Sequence, residues 1–223
     1  MGYLVFLLAL LISYLLGSIN FAIIISGLFM HEDVRKHGSG NAGMTNVIRT
    51  AGKLPGVLTL IGDMLKGVAA VAIGRYLLFP YVHSALGGEW TLPVYGAFLC
   101  GICCMLGHIF PVFFGFKGGK AVATTAGIAL MLDWRILLTG LAIFLIVFLF
   151  TRIVSIGSIL SAASVPVAAA LYYPIFGTGG DTAGSRLIIT LLALVLAVII
   201  IAKHKTNIVR LMHGEEKKLT SKK

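Results

Sequence analysis

The chain is poor in acid. Of 223 residues, 8 are Asp or Glu against 18 Lys and Arg, for a net charge of +10, and charged residues of every kind make up 12%. The aspartates, Asp33, Asp63, Asp133 and Asp181, are scattered, which excludes a metal site built from carboxylates on one helix face. Cysteine is as scarce. Cys100, Cys103 and Cys104 share one apolar run, with no second pair and no histidine at zinc-ligand spacing. They read as small packing residues, with no disulfide framework. A secretory leader is not expected either. The first apolar run, Tyr3 to Phe29, is too long for a signal core and lacks a basic flank, so it is expected to stay as a helix.

What is abundant is apolar surface. Hydrophobic residues reach 58%, and the mean hydropathy is +1.00. Runs of membrane length fall at roughly 3–29, 54–79, 93–115, 119–133, 135–151, 155–173 and 186–202. A core helix explains one such run but not seven in so short a chain. The expectation is an all-α polytopic membrane protein of seven transmembrane helices, one domain over 1–223, with a disordered tail at 214–223. With the amino terminus outside and the carboxyl terminus in the cytoplasm, most Lys and Arg fall on the inner side: Arg35, Lys36, Arg49, Lys53, Lys117, Lys120, Arg152 and the tail from Lys203. The fourth run is short. Ala121 to Leu132 makes about 18 Å of helix against a hydrocarbon core of about 30 Å. It is expected to cross, with Lys117 and Lys120 dipping below the interface. Asp63 and Lys66, three apart on one helix face, are expected to pair.

On that topology every polar motif faces the cytoplasm. They are GSGNAGMTNVIR (38–49), FKGGKA (116–121), TRIVSIGS (151–158) and HKTNIVR (204–210). Four such segments of a small bundle must lie near one another. They offer backbone N–H groups of Gly38, Gly40, Gly43, Gly118 and Gly119. The side chains are Ser39, Asn41, Thr45, Asn46, Ser155, His204 and Asn207, and the cations Arg49, Lys117, Lys120 and Arg210. This is a set of donors with almost no carboxylate, suited to an oxyanion and above all to phosphate. Each motif alone has a plainer reading: a structural loop for 38–49, snorkelling lysines at a helix start for 116–121, a membrane-surface tail for 204–210. The inference rests on their sharing one face. His108 reads as a helix-end residue, and His31, His83 and His213 as surface residues.

Three other chemistries are missing. GKLPG (52–56) and KGGKA lack Walker spacing. No histidine has Asp five places later, as the soluble-type glycerolipid acyltransferases require. The aspartate cluster of CDP-alcohol phosphotransferases is absent. An enzyme built from donors alone must use an already activated substrate. A transporter of a phosphorylated anion is the other class. It needs polar groups at the midplane, where only Asp63 and Lys66 could serve.

These motifs, with GSINFA (17–22), GDMLKG (62–67), GHIFPVFFGFKGGKAVAT (107–124) and HKTNIVRLMHGEE (204–216), occur in the order found in the bacterial acyl-phosphate:glycerol-3-phosphate acyltransferases, and the chain resembles that family, the PlsY family, over its whole length. Asn20 stands where proline is usual, Met44 where alanine is, Ala121 where glycine is, and Glu215 where threonine is. The resemblance implies a seven-helix enzyme of the bacterial inner membrane, its active site facing the cytoplasm, that acylates the 1-hydroxyl of glycerol 3-phosphate from acyl-phosphate. It implies that Arg49, Lys117 or Lys120, and Asn207 bind phosphate, that Ser39, Asn41 and Ser155 orient substrate, and that His204 contacts the glycerol. The 38–49 loop becomes a phosphate cradle, with Gly38, Gly40, Gly43, Thr45, Asn46, Gly118, Gly119, Arg210 and Glu216 as the remaining binding residues. No metal, cofactor or nucleic acid is implied. The partners are acyl-phosphate, glycerol 3-phosphate and membrane lipid, and a monomer is expected.

Overall fold

The structure is a computed structural model that describes residues 1–88, 91–176 and 183–219. Asp181 and the last four residues of the basic tail lie outside them. Among the described residues the chain is helical, with no strand. Six stretches are long and apolar enough to cross a membrane: Gly2–Met30, Lys53–Leu86, Pro93–Phe114, Trp134–Thr151, Val154–Tyr173 and Gly184–Lys203. The expected seventh is the shorter apolar helix Val122–Leu132. The chain divides into two compact units, Met1–Leu132 and Asp133–Lys223.

The first unit carries α1 (Gly2–Ser18), α2 (Phe21–Met30), α3 (Met44–Ala51), α4 (Lys53–Ala72), α5 (Phe79–Leu86), α6 (Pro93–Ile109) and α7 (Val122–Leu132). The first apolar run, expected as one helix, is two. Asn20 stops α1 and caps α2, its side chain accepting the Ile23 N–H at 3.2 Å. The break leaves the Gly17 and Ile19 carbonyls for other partners. The second run continues past its expected end. α4 passes through one wide turn, Ile73–Leu78, into α5, where Pro80 lacks the N–H for a regular ladder.

Two helix crossings are backbone-close. A Cβ on Gly17 would lie 2.0 Å from Cys104 O, and one on Gly107 would lie 2.1 Å from Tyr14 O, so α1 and α6 touch along their main chains. Gly67 and Gly127 do the same for α4 and α7, at 2.4 Å from Thr124 O and 2.0 Å from Met64 O. α7 starts late because Ala121 is left-handed, at φ 60°. That conformation costs an L residue about 1–2 kcal/mol, against about 0.5–1 kcal/mol for glycine's extra freedom when unfolded. Ala121→Gly should therefore stabilise the protein by up to about 1 kcal/mol, read as a raised thermal midpoint in detergent.

The second unit carries α8 (Trp134–Thr151), α9 (Val154–Phe176), α10 (Ala183–Lys203) and α11 (Lys205–Met212). Asp133 caps α8, accepting the Arg135 N–H at 2.9 Å. α8 ends at Arg152, left-handed at φ 58°, and α9 returns against it, with Gly157 packed on Phe144. The tail up to Leu219 folds back. Glu215 N–H donates to Arg210 O and Leu219 N–H to Arg152 O, both at 2.8 Å.

Candidate active site

In the first unit the glycine-rich loop is held from within. Asp33 opens a short 3-10 turn at Val34–Lys36, accepting the Arg35 N–H at 2.8 Å. Asn46, buried on α3, then clasps the loop. Its Oδ1 accepts the Ser39 N–H at 2.8 Å, and its Nδ2 donates to Val34 O and His37 O, each at 3.0 Å. Gly38 sits on that clasp at φ 60°, where a Cβ would lie 2.2 Å from Asn46 Oδ1. Gly38, Ser39 and Gly40 form an exposed tip, while Asn41, Thr45 and Arg49 are half-buried beside it.

The second loop, 110–120, is bound to the first. The Arg35 guanidinium pairs with Asp33 at 2.6 Å and donates to Phe114 O at 2.8 Å and Lys117 O at 2.9 Å. The hydrogen bond from Arg35 holds the Asp33 carboxyl below the ordinary carboxylate range despite partial burial. Gly118 and Gly119 donate their N–H groups to Ile109 O at 3.1 Å and His108 O at 3.2 Å. Gly119 is wedged: a Cβ there would lie 2.3 Å from both Ala42 O and His108 Nε2. Lys117 is exposed and Lys120 half-buried. Beneath, Asp63 and Lys66 pair at 2.8 Å as their spacing predicts, and His108 joins them.

In the second unit one carboxylate gathers the expected residues. Glu216 accepts the Ser155 hydroxyl at 2.8 Å and Asn207 Nδ2 at 2.5 Å on one oxygen, and Arg210 Nε at 2.7 Å on the other. Burial pushes this carboxyl up, but the three donors and the Arg210 charge together hold it below the usual value of 4.5. His204 occupies the break between α10 and α11, buried, with Nδ1 2.8 Å from Ile200 O. A ring nitrogen facing a carbonyl carries a proton, so Nδ1 is the donor of this pair.

The sequence profile described as glycerol-3-phosphate acyltransferase matches residues 7–214 and so runs through both units. The chain belongs to the glycerol-3-phosphate acyltransferase family. It is 38% identical over 212 residues to the glycerol-3-phosphate acyltransferase of Chromobacterium violaceum, covering 95% of this chain and 94% of that one. It is also 38% identical over 213 residues to glycerol-3-phosphate acyltransferase 2 of Bacillus anthracis, with 96% and 98% covered. The fold matches the crystal structure of PlsY, an integral membrane glycerol 3-phosphate acyltransferase, in its glycerol 3-phosphate form, with a TM-score of 0.76, 34% identity and 96% of each chain covered. Its lysophosphatidic acid form matches at a TM-score of 0.74.

For this acyltransferase, an integral-membrane enzyme of phospholipid synthesis, the structure sorts the expected residues. Ser39, Asn41, Lys117 and Lys120 belong to two loops that touch; Arg49, expected at the end of the first loop, stands instead in the last turn of α3, because the chain is already helical from Met44. Ser155, Asn207, Arg210 and Glu216 belong to one hydrogen-bonded group. Several expected donors are engaged inside the chain. Gly40 N–H bonds His37 O and Gly43 N–H bonds Asn41 O, each at 3.0 Å, while Gly118, Gly119 and Asn46 are engaged as described. In this conformation those residues shape the loops. Sequence reasoning passed over two residues. Arg35 counted only as a topology charge, though its spacing from Asp33 signals the pair. His108 passed as a helix end, and nothing local places it near residues 42 and 45 positions away.

Proposed function

We propose that the chain transfers a fatty acyl group from acyl-phosphate to the 1-hydroxyl of glycerol 3-phosphate, giving lysophosphatidic acid and phosphate. The observation that carries this is the donor set, held on and beside two clasped loops and on one carboxylate-centred group, in a chain that matches the family over residues 7–214. Acyl-phosphate is a mixed anhydride. The substrate hydroxyl attacks the acyl carbon, the C–O bond to phosphate breaks, and phosphate departs with its electron pair. Such a leaving group needs placement and charge compensation more than acid–base help. Arg49, Asn207 and Lys117 or Lys120 grip phosphate; Ser39, Asn41 and Ser155 orient the reacting groups; His204 contacts the glycerol.

The hydroxyl proton passes to a substrate phosphate oxygen. The rival base is His204 through Nε2. His204→Gln places an amide where Nε2 stood and cannot accept a proton. Its rate should stay within about tenfold of wild type at saturating substrate; a larger loss makes His204 the base. We further propose that all seven apolar helices cross, α7 included, that the amino terminus lies outside and that the protein works as a monomer in the bacterial inner membrane with both loops toward the cytoplasm. Excess Lys and Arg on that side supports the orientation. The deciding experiment supplies purified enzyme with glycerol 3-phosphate and acyl-phosphate, acyl-CoA or acyl carrier protein in turn. Product from the first donor alone is expected; equal rates from a thioester would overturn the donor assignment.

A further inference from the structure

Lys66 Nζ sits among three oxygens and one ring nitrogen. Gly17 O lies at 2.9 Å and Ile19 O at 2.8 Å, both at the break between α1 and α2. Asp63 Oδ1 on α4 lies at 2.8 Å and His108 Nδ1 on α6 at 2.9 Å. All three side chains are buried, at 1–4% exposure. An ion pair within α4 would suffice to neutralise Lys66, and a buried pair is a weak source of stability, often matched by apolar residues of similar size. The third member is what needs a reason. The His108 ring meets Lys66 with one nitrogen, and its Nε2 edge lies against Gly119, which in turn lies against Ala42 O. Its own carbonyl receives the Gly119 N–H. Contacts therefore run from the Asp63–Lys66 pair through His108 to Gly119, and from Gly119 to the 38–49 loop.

We propose that Asp63, Lys66 and His108 are positioning residues that set where the 117–120 loop stands and so govern the grip on glycerol 3-phosphate. This rests on the reading that the loop handles phosphate. All three are buried and would act through the loop. The two substrates feel a displaced loop unequally. Acyl-phosphate is also held by its chain, whose apolar surface leaves water on binding. Glycerol 3-phosphate is small and polar and depends on its phosphate contacts, and a shift of about 1 Å at a positioned group can cost a hundredfold.

The test compares two variants with wild type, well below their thermal midpoints. Asp63→Asn/Lys66→Met removes both charges together and leaves no buried ion unpaired. His108→Asn keeps a polar group near where Nδ1 stood but withdraws the ring from Gly119, and it retains both charges should the double variant fail to fold. Expected for each folded variant is a rise of about tenfold in KM for glycerol 3-phosphate, with KM for acyl-phosphate within about twofold. A merely structural cluster lowers kcat in proportion to the folded fraction and moves neither KM; that result, or unchanged kinetics, overturns the proposal. Wild type and Lys117→Ala/Lys120→Ala run in the same assay. No turnover by the first, or wild-type kinetics from the second, refutes the phosphate-loop reading itself and takes the network with it.

Discussion

Arg49→Ala should cut turnover by about 30- to 1000-fold, the consequence of losing about 2–4 kcal/mol of charged hydrogen bonding in the transition state. Arg49 lies in the last turn of α3, half-buried, directly after the glycine-rich loop. A guanidinium can hold two phosphate oxygens with a planar fork, which an ammonium cannot reproduce. Arg49→Lys keeps the charge and removes the fork, so it should recover only part of the loss. Both variants should fold, since the loop is clasped by Asn46 and Arg35. If Arg49 merely anchors topology, lysine serves fully and even alanine changes little. Initial rates of the purified variants with both substrates saturating separate the two. Full activity in Arg49→Lys would count against the cradle.

Glu216→Ala should be as damaging, by another route. It releases Ser155, Asn207 and Arg210 at once, and hydrogen bonds to a charged group are worth about 1.5–3 kcal/mol each. Activity should fall at least a hundredfold, together with the thermal midpoint. Glu216→Gln should do better. Its amide oxygen can still accept from Ser155 and Asn207, while its NH2 opposes the Arg210 donor. The carboxyl titrates below its ordinary value in the folded protein, so its stabilisation is complete above the unfolded pKa of about 4.5 and fades as pH falls toward the folded one. The wild-type midpoint should therefore drop on acidification below about pH 4.5, and Glu216→Gln should lack that component. Parallel acid profiles for the two proteins would refute the assignment.

The sequence made the helices legible because long apolar runs have few alternatives in a chain with so little charge. It hid where they break. Asn20 is one polar residue in a run of membrane length, and only its cap on Ile23 shows that it ends a helix. The left-handed Ala121, which shortens α7, was equally silent. At the site, residue types were readable because polar and glycine-rich segments are conspicuous in an apolar chain, and Asp63 with Lys66 because their spacing is local. Engagement was not readable. That Gly118 and Gly119 donate to the end of α6, or that Asn46 faces inward, depends on how distant segments pack.

The Asn46 clasp also bears on the thermodynamics of ligand capture. Three main-chain bonds from one buried amide order the loop from within the chain itself. Ordering a residue's backbone costs about 1–2 kcal/mol, and here that cost falls on folding, so none of it is subtracted from the affinity for phosphate. Capture should consequently resemble docking to a rigid receptor. Titration calorimetry should give a small heat-capacity change, without the large negative value of a segment that folds around its ligand, and association should run at the encounter rate rather than wait for a loop to rearrange.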